Sequence, residues 1–498
     1  LWCERSTYFI LNTTLYSGDN LMRSLCVSHY VLGKLVPALL IIVSLCSIAA
    51  QETRAEQEDI EENRIKIYSE NPRYWQYNGK PILLIGGSVD DNLFQIPNLK
   101  EHLTLLKSVG GNYVRSTMGW TEAVDVPPFK KVGDRYDLNQ WSDEFWMRFR
   151  NFIRWTHEMD IIVQIEVWAT FNYYRDYWDV NPFNPKNNSN YTVEETGLPT
   201  VINSHPSAAK NNFFWSVPKK HNQEIVLKYQ QKYVDKLLTE TLPYGHILYC
   251  MDNETAVTPA WGEYWSTYIK NRATEVGRGV ETTESWNPWE IYHEQHRNTK
   301  DHPEIYSFCD ISQNNMQKRQ THWDNAQKYR TELTPIRPIN NIKIYGADTG
   351  KYGKTQDGLA RFWRNIFGGF ASARFHRPPN GLGLSKTAQS SLMSMRMITD
   401  EMDLFRCDPD NNLLSNREEN EAYAFANPGK EYAVYFPKVG SVDLDLSAVK
   451  KTNVKTVTIR WLNIRHSKWK QMEEISLSDS ITLTTPTEAH WAVLLQVK

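Results

Sequence analysis

The sequence predicts an α/β fold, a (β/α)8 TIM barrel followed by a small antiparallel β-sandwich. Strand-like apolar runs alternate with helical patterns along most of the chain, and continuous apolar strands separated by helices belong to a parallel sheet covered on both faces. Eight such strands over about three hundred residues fit a closed barrel better than an open sheet. A doubly wound sheet is the alternative, but "LIGGSVDD" after the first run lacks the glycine spacing of a phosphate loop. Beyond residue 406 the hydrophobic period changes to two, which marks a different layer architecture.

The strands are expected in order. "PILLIGGS" at 81–88 precedes the helical "NLKEHLTLLKSVGG", and "NYVRST" at 112–117 precedes a helix with Phe145, Phe149 and Phe152 at helical spacing. "IIVQIEVWAT" at 161–170 is strand three. Strand four is "HILYCMDNETA" at 246–256, reached through the helix "NQEIVLKYQQKYVDKLL". "GVETTES", "IYSFCDIS", "NIKIYGAD" at 341–348 and "FGGFASARF" at 367–375 complete eight. The closing helix "SLMSMRMITDEMDLF" puts Leu392, Met395, Ile398, Met402 and Phe405 on one core face. The barrel is assigned to 51–406 and the sandwich to 407–498, where "AYAFANPGKEYAVYF" reads as a hairpin and "VKTVTIRWL" and "HWAVLLQV" alternate.

The first methionine is Met22, and 22–50 reads as a secretory leader with Arg23 and Lys34, an apolar centre and small residues at Ser47-Ile48-Ala49. Residues 1–21 read as translated upstream sequence. The apolar run is short for a membrane span. The expectation is a secreted or periplasmic protein with no stable span after leader removal. Cys250, Cys309 and Cys407 then remain, an odd count that excludes a disulfide scaffold. A formal net charge of -2 gives no bulk attraction for nucleic acid.

Barrel enzymes carry their chemistry at the C-terminal ends of the strands. Those ends hold Asp90 and Asp91, Arg115, Glu166 and Trp168, Asn253 and Glu254, Glu281 and Glu284, Asp310, Asp348, and Arg374 and His376. A ring of carboxylates with aromatics, and no obvious nucleophilic Ser or Cys, suits glycosidic cleavage, in which one carboxyl protonates the leaving oxygen and another attacks or activates water.

With Asn253-Glu254 ending strand four, the chain resembles the large clan of retaining (β/α)8 glycoside hydrolases that place an Asn-Glu pair there. "NPRYWQYNGKPILLIGGS" is similar to the lead-in of many bacterial members, and the barrel with a terminal sandwich resembles apiosidase-like glycosidases whose last domain carries a collagen-binding label. The resemblance implies that Glu254 is the acid/base, that Asn253 binds the hydroxyl beside the anomeric carbon, and that Arg115 orients the nucleophile. The clan's nucleophile is a Glu ending strand seven, whereas this chain offers Asp348, one methylene shorter, with Gly346 and Gly350 to let the backbone approach. The alternative reading of Asp348 is a turn or cap residue, and Glu284 is the reserve nucleophile.

Glu166 either balances Arg115 or contacts substrate, and Asp310 reads equally as a helix cap. His293 and His296 in "YHEQH" are three apart, wrong for a zinc helix, so neither metal nor cofactor is expected. Arg374, His376 and Arg377 read either as structural or as a grip on an anionic sugar substituent. The loop of about fifty residues after strand three carries ten aromatics, which argues for order and function. Tyr173, Tyr174, Tyr177, Trp178 and Trp215 are its subsite candidates, with packing onto the barrel as the alternative. The expectation is a secreted retaining glycoside hydrolase acting on a poly- or oligosaccharide, uronic or sulfated in the anionic case. The alternative is a non-catalytic carbohydrate- or matrix-binding protein on a degenerate barrel. Burial and the nearby Asp348 charge are expected to keep Glu254 protonated at the start of the cycle.

Overall fold

A computed structural model describes residues 60–449, 455–487 and 490–497. The leader and upstream segments read from 1–50 lie outside the described residues. Eight strands form the barrel wall: β1 (Leu84–Gly87), β2 (Tyr113–Thr117), β3 (Ile162–Trp168), β4 (Ile247–Asp252), β5 (Glu281–Thr283), β6 (Cys309–Asp310), β7 (Ile339–Asn340) and β8 (Ser372–Phe375). Six of them run parallel in the order β5-β4-β3-β2-β1-β8, and β6 pairs with β7 in parallel. The ring closes through backbone hydrogen bonds at two further seams. Ser307 N donates to Thr282 O at 2.9 Å beside β5, and Ala371 N donates to Ile339 O at 3.0 Å beside β8.

Each strand is followed by a helix: α1 (Leu99–Ser108), α2 (Asp143–Glu158), α3 (Glu224–Thr241), α4 (Pro259–Glu275), α5 (Glu294–Lys300), α6 (Arg319–Glu332), α7 (Thr355–Phe367) and α8 (Lys386–Thr399). Local signals set their starts. The Ser142 side chain accepts from Phe145 N at the head of α2, Pro259 opens α4, and the Ser385 side chain accepts from Ala388 N at the head of α8. Phe145, Phe149 and Phe152 are all buried on the inner face of α2. Leu392, Met395 and Ile398 are buried on α8, while Met402 and Phe405 pack into the same core beyond the helix end.

Below the barrel, a three-stranded antiparallel sheet (residues 66–67, 75–77 and 80–82) covers the N-terminal end of the strands. Trp75 plugs it: the ring meets Phe308 edge-on at 5.1 Å, and its N–H donates to Asn340 Oδ1 at 3.0 Å. The opposite, C-terminal end is the only end left for a site, as barrel construction dictates.

The C-terminal strands are β9 (Tyr423–Asn427), β10 (Glu431–Phe436), β11 (Ser441–Asp445), β12 (Thr456–Asn463), β13 (Ser480–Thr484) and β14 (Trp491–Val497). The sheet containing β9-β10-β14-β12 faces a smaller sheet of residues 414–415, β11 and β13. The space between them is filled by Val434, Phe436, Leu444 and Val493 among others. The outer face of the larger sheet is also apolar and packs on the barrel. Tyr435 stacks on Trp363 of α7 with ring centroids 5.3 Å apart, and Tyr423 lies 4.6 Å from Trp323 of α6. One hydrophobic core therefore runs from α2 through the barrel into β9, β10 and β14. Among the described residues no helix is long and apolar enough to cross a membrane.

Candidate active site

A cleft of about 480 Å³ opens at the C-terminal mouth of the barrel. Its floor is built from β4 and the segment after β7. Asn253 and Glu254 follow β4 directly, and Glu254 has φ 52°, a left-handed conformation that is costly for a residue with a Cβ. Thr255 N is held by Ser285 O at 2.8 Å, and Asn253 N donates to Trp168 O at 3.2 Å. The chain is thus pinned on both sides of Glu254, and the turn aims its carboxylate into the cleft.

Strand seven differs from its sequence expectation. The regular strand lies upstream at β7, after which Ile342 joins the cluster around Trp75, Ile344 packs in the main core, and Lys343 and Tyr345 reach the cleft. Lys343 Nζ donates to Asn253 Oδ1 at 2.7 Å and to Glu254 Oε1 at 3.0 Å, and Tyr345 Oη donates to the same Glu254 oxygen at 2.9 Å. Lys343 is 1% exposed, unusual for an ammonium without such partners. A lysine breaking an apolar alternating run was a signal that sequence reading passed over.

Asp348 does not line this cleft. It is exposed and accepts from Thr355 N at 3.0 Å at the start of α7. This is the cap role of its alternative reading. Gly346, at φ 118°, turns the chain away, and its Cα packs against the Gly358 backbone, where a Cβ would meet N at 2.5 Å. The glycine thus serves helix contact, with no sugar approach built on it. Glu284 also lies outside the cleft, fully buried, accepting from Asp252 N at 3.0 Å and Ser285 N at 2.9 Å.

Arg115 of β2 is fully buried and ties three strands together. It donates to Asp91 and Glu166 and, at 2.9 Å, to Asn253 Oδ1. Glu166 sits behind it, fully buried, paired with Arg115 and outside the residues that line the cleft. Asp91, on the opposite wall, also accepts from Arg377 Nε at 2.5 Å, with His376 Nδ1 3.9 Å away. His376, Arg377 and the carboxylate of Asp91 all reach the cleft. Arg374 does not: it is fully buried, donating to Ile342 O at 2.6 Å and to Ser88, so it braces the barrel.

The aromatic candidates separate in the same way. Tyr177 lines the cleft at 38% exposure. Trp168, Tyr173, Tyr174 and Trp178 are core residues. Trp168 packs on Trp261 and Trp265, Tyr173 stacks on Phe213 at 4.4 Å, and Trp178 donates to Pro199 O at 2.8 Å. Trp215 packs on His221 away from the cleft. The long loop is therefore mostly a packed wall, since large rings in a loop without strands have to supply its core themselves. Phe171, Trp289 and Tyr352 line the cleft instead, and Trp289 meets Tyr352 edge-on at 5.9 Å.

The electrostatics follow from these contacts. Burial pushes the Glu254 carboxyl up, but the Lys343 ammonium and the Tyr345 hydroxyl outweigh it and hold it down at about 2. Glu254 is therefore ionised at neutral pH, contrary to the expectation of a protonated acid. Asp91 is likewise held well below the usual range, burial being overcome by Arg115, His376 and Arg377. Burial, against the pull of Asp91, pushes His376 down to about 3, with the Arg115 and Arg374 charges adding to it, so its imidazole is neutral. Beyond the cleft, burial drives Asp252 up to about 7, and burial with the Asp252 charge raises Glu284 well above the usual carboxyl range.

A family model described as "Putative collagen-binding domain of a collagenase" matches residues 409–496. No curated protein sequence is similar to the chain. Among solved structures, the chain resembles a glycoside hydrolase family 5 protein from Bacteroides vulgatus, at 13% identity over 88% of this chain and 94% of that one, with a TM-score of 0.59. A second structure, solved as a glycoside hydrolase, is 12% identical over 88% of this chain and 98% of that one, with a TM-score of 0.57. The barrel followed by a sandwich is thus an architecture this chain shares, almost end to end over the described residues, with proteins solved as glycoside hydrolases.

Proposed function

We propose that this chain is a glycoside hydrolase that binds a carbohydrate in the barrel-mouth cleft and uses Glu254 as its proton-transferring carboxylate. The observation that carries the reading is the strained Glu254 at the end of β4, aimed with Asn253 into a cleft walled by Trp289, Tyr352, Phe171 and Tyr177. Strain retained at one position of a pinned turn marks a functional site, and aromatic faces suit the apolar faces of sugar rings. The shared fold adds an analogy only.

In this reading the second carboxylate passes from Asp348 to Asp91, which lines the cleft and is ionised. The proposed cycle remains the retaining one. Asp91 forms the bond to the anomeric carbon as Glu254 gives its proton to the leaving oxygen, and Glu254 then takes a proton from the water that releases the sugar. Because Glu254 is ionised before substrate arrives, it must take up a proton from solvent on binding. Lys351 on the cleft wall supports an anionic glycan, uronic or sulfated, as substrate, while Arg377 is already paired with Asp91 and His376 is neutral. Secretion, to the medium or the periplasm, rests on the leader read from 22–50.

Lys343 favours a second reading, a carbohydrate-binding protein without catalysis, because an ammonium stands against Glu254 where the sequence reading expected an attacking carboxylate. A screen of the protein and its Glu254→Gln variant against plant and algal polysaccharides separates the two. Reducing ends released by the parent and not by the variant support the hydrolase. Equal binding by both with no product supports the binding protein. An anomerically inverted first product by NMR would remove the retaining cycle.

A further inference from the structure

Lys343 reaches Glu254 from the wall that follows β7, and its ammonium donates to both Asn253 Oδ1 and Glu254 Oε1. We propose that Lys343 is a positioning residue that holds the Glu254 carboxylate in a single ionised pose and releases it when a bound sugar takes over the ammonium's hydrogen bonds. This rests on the hydrolase reading only for its consequence in turnover; the pairing itself does not.

Three features of the geometry carry the role. First, the ammonium is almost entirely buried and both of its hydrogen bonds go to the Asn253-Glu254 pair, so its charge acts on the site and not on solvent. Second, Tyr345 donates to the same oxygen, and Glu254 lines the cleft. Third, the other groups around Glu254 are already committed. Arg115 is spent on Asp91 and Glu166, Arg377 on Asp91, and His376 is neutral. Burial and the Glu254 charge keep the Tyr345 hydroxyl protonated, and Tyr352 is likewise shifted up by burial and by Glu254. Lys343 is therefore the cation whose removal changes the proton affinity of Glu254 most directly. A sugar hydroxyl or anionic substituent that accepts from Nζ weakens the pair, and Glu254 then takes its proton from solvent.

The test is a pH titration of Glu254 by infrared difference spectroscopy, taking the protonated carboxyl band that is absent from Glu254→Gln. The full chain should keep Glu254 ionised down to the lowest pH at which it stays folded. Lys343→Met should show protonation with a midpoint raised by about one pH unit or more, a tenfold or greater gain in proton affinity. Lys343→Arg, which restores the charge, should return to the parent behaviour. If Lys343→Met does not fold by circular dichroism, Lys343→Gln keeps a donor to Asn253 without the charge and gives the same reading. An unchanged midpoint in the neutral variants, or a raised one in Lys343→Arg, overturns the proposal. No substrate is needed, so a protein that fails to hydrolyse any glycan sinks the hydrolase reading and leaves this result standing. Where turnover is found, the alkaline limb of kcat/KM should move to higher pH in Lys343→Met, a shift that a merely structural lysine would not produce.

Discussion

Glu284 accepts the backbone N–H of Asp252 at 3.0 Å, and burial raises the proton affinity of both carboxyl groups, that of Glu284 also through the neighbouring Asp252 charge. Gly262 of α4 leaves them the room, since a Cβ there would come within 2.5 Å of Glu284 Oε2. Trp261 donates to the other end of the pair, Asp252 Oδ1, at 3.2 Å. Two carboxyl groups of raised proton affinity are therefore packed into the segment that leads to Glu254.

Those raised affinities give stability a pH dependence of known sign. Both carboxyls bind protons more tightly folded than unfolded, so their contribution is complete below about pH 4, the unfolded range. It is lost as pH rises towards and beyond about 7, the folded value for Asp252. Urea denaturation should show stability falling across that interval. Glu284→Gln, which imitates the protonated form, should flatten the slope. A slope unchanged in the variant would show that the pair carries no proton.

Glu254 and Asp91 act in the opposite direction. Their folded values are depressed, so the stability they add is present above about pH 4 and is lost as acid protonates them. Asp91→Asn should therefore lower stability at pH 7 more than at pH 3. An equal loss at both values would mean that Asp91 is not ionised.

Asp348→Ala should retain turnover within about threefold of the parent, whereas Glu254→Gln should lose at least about a hundredfold, the low end for removing a general acid/base. Both follow from position, since Asp348 is an exposed helix cap and Glu254 stands in the cleft. Thermal melts should show both variants folded. A severe loss on replacing Asp348 would return it to the mechanism.

Arg115→Met should cost on the order of 3–5 kcal/mol, because it strands the fully buried Glu166 carboxylate without its partner. The midpoint of urea denaturation measures it. A loss below about 1 kcal/mol, the surface ion-pair range, would mean that the Arg115–Glu166 pair adds little to the fold.

A chain truncated after Leu404 should express poorly or aggregate, since it uncovers Trp363, Phe367 and Trp323, which pack on Tyr435, Phe425 and Tyr423. The isolated sandwich should cleave no glycan. Soluble, monomeric truncated barrel by gel filtration would show that the shared core is dispensable.

The sequence by itself determined the barrel, the sandwich and the place of the Asn-Glu pair. Those depend on hydrophobic period and strand order, which are local and repeat along the chain: "ILYCMD" and "IVQIEVW" announce buried parallel strands, and "TVTIRWL" an alternating one. The identity of the partners was a matter for tertiary structure. Asp348 and Lys343 lie five residues apart on one segment, and which of them faces Glu254 depends on where β7 stops pairing and on the turn at Gly346. The same holds for the aromatic loop, where Tyr177 reaches the cleft and Trp178, its neighbour, is core. Composition there marked an ordered loop, but the direction of each ring follows from packing against α3 and α4, contacts that no local pattern encodes. The charge of Glu254 was hidden for the same reason. It is set by an ammonium that is distant in sequence and comes within 3.0 Å only when the barrel closes.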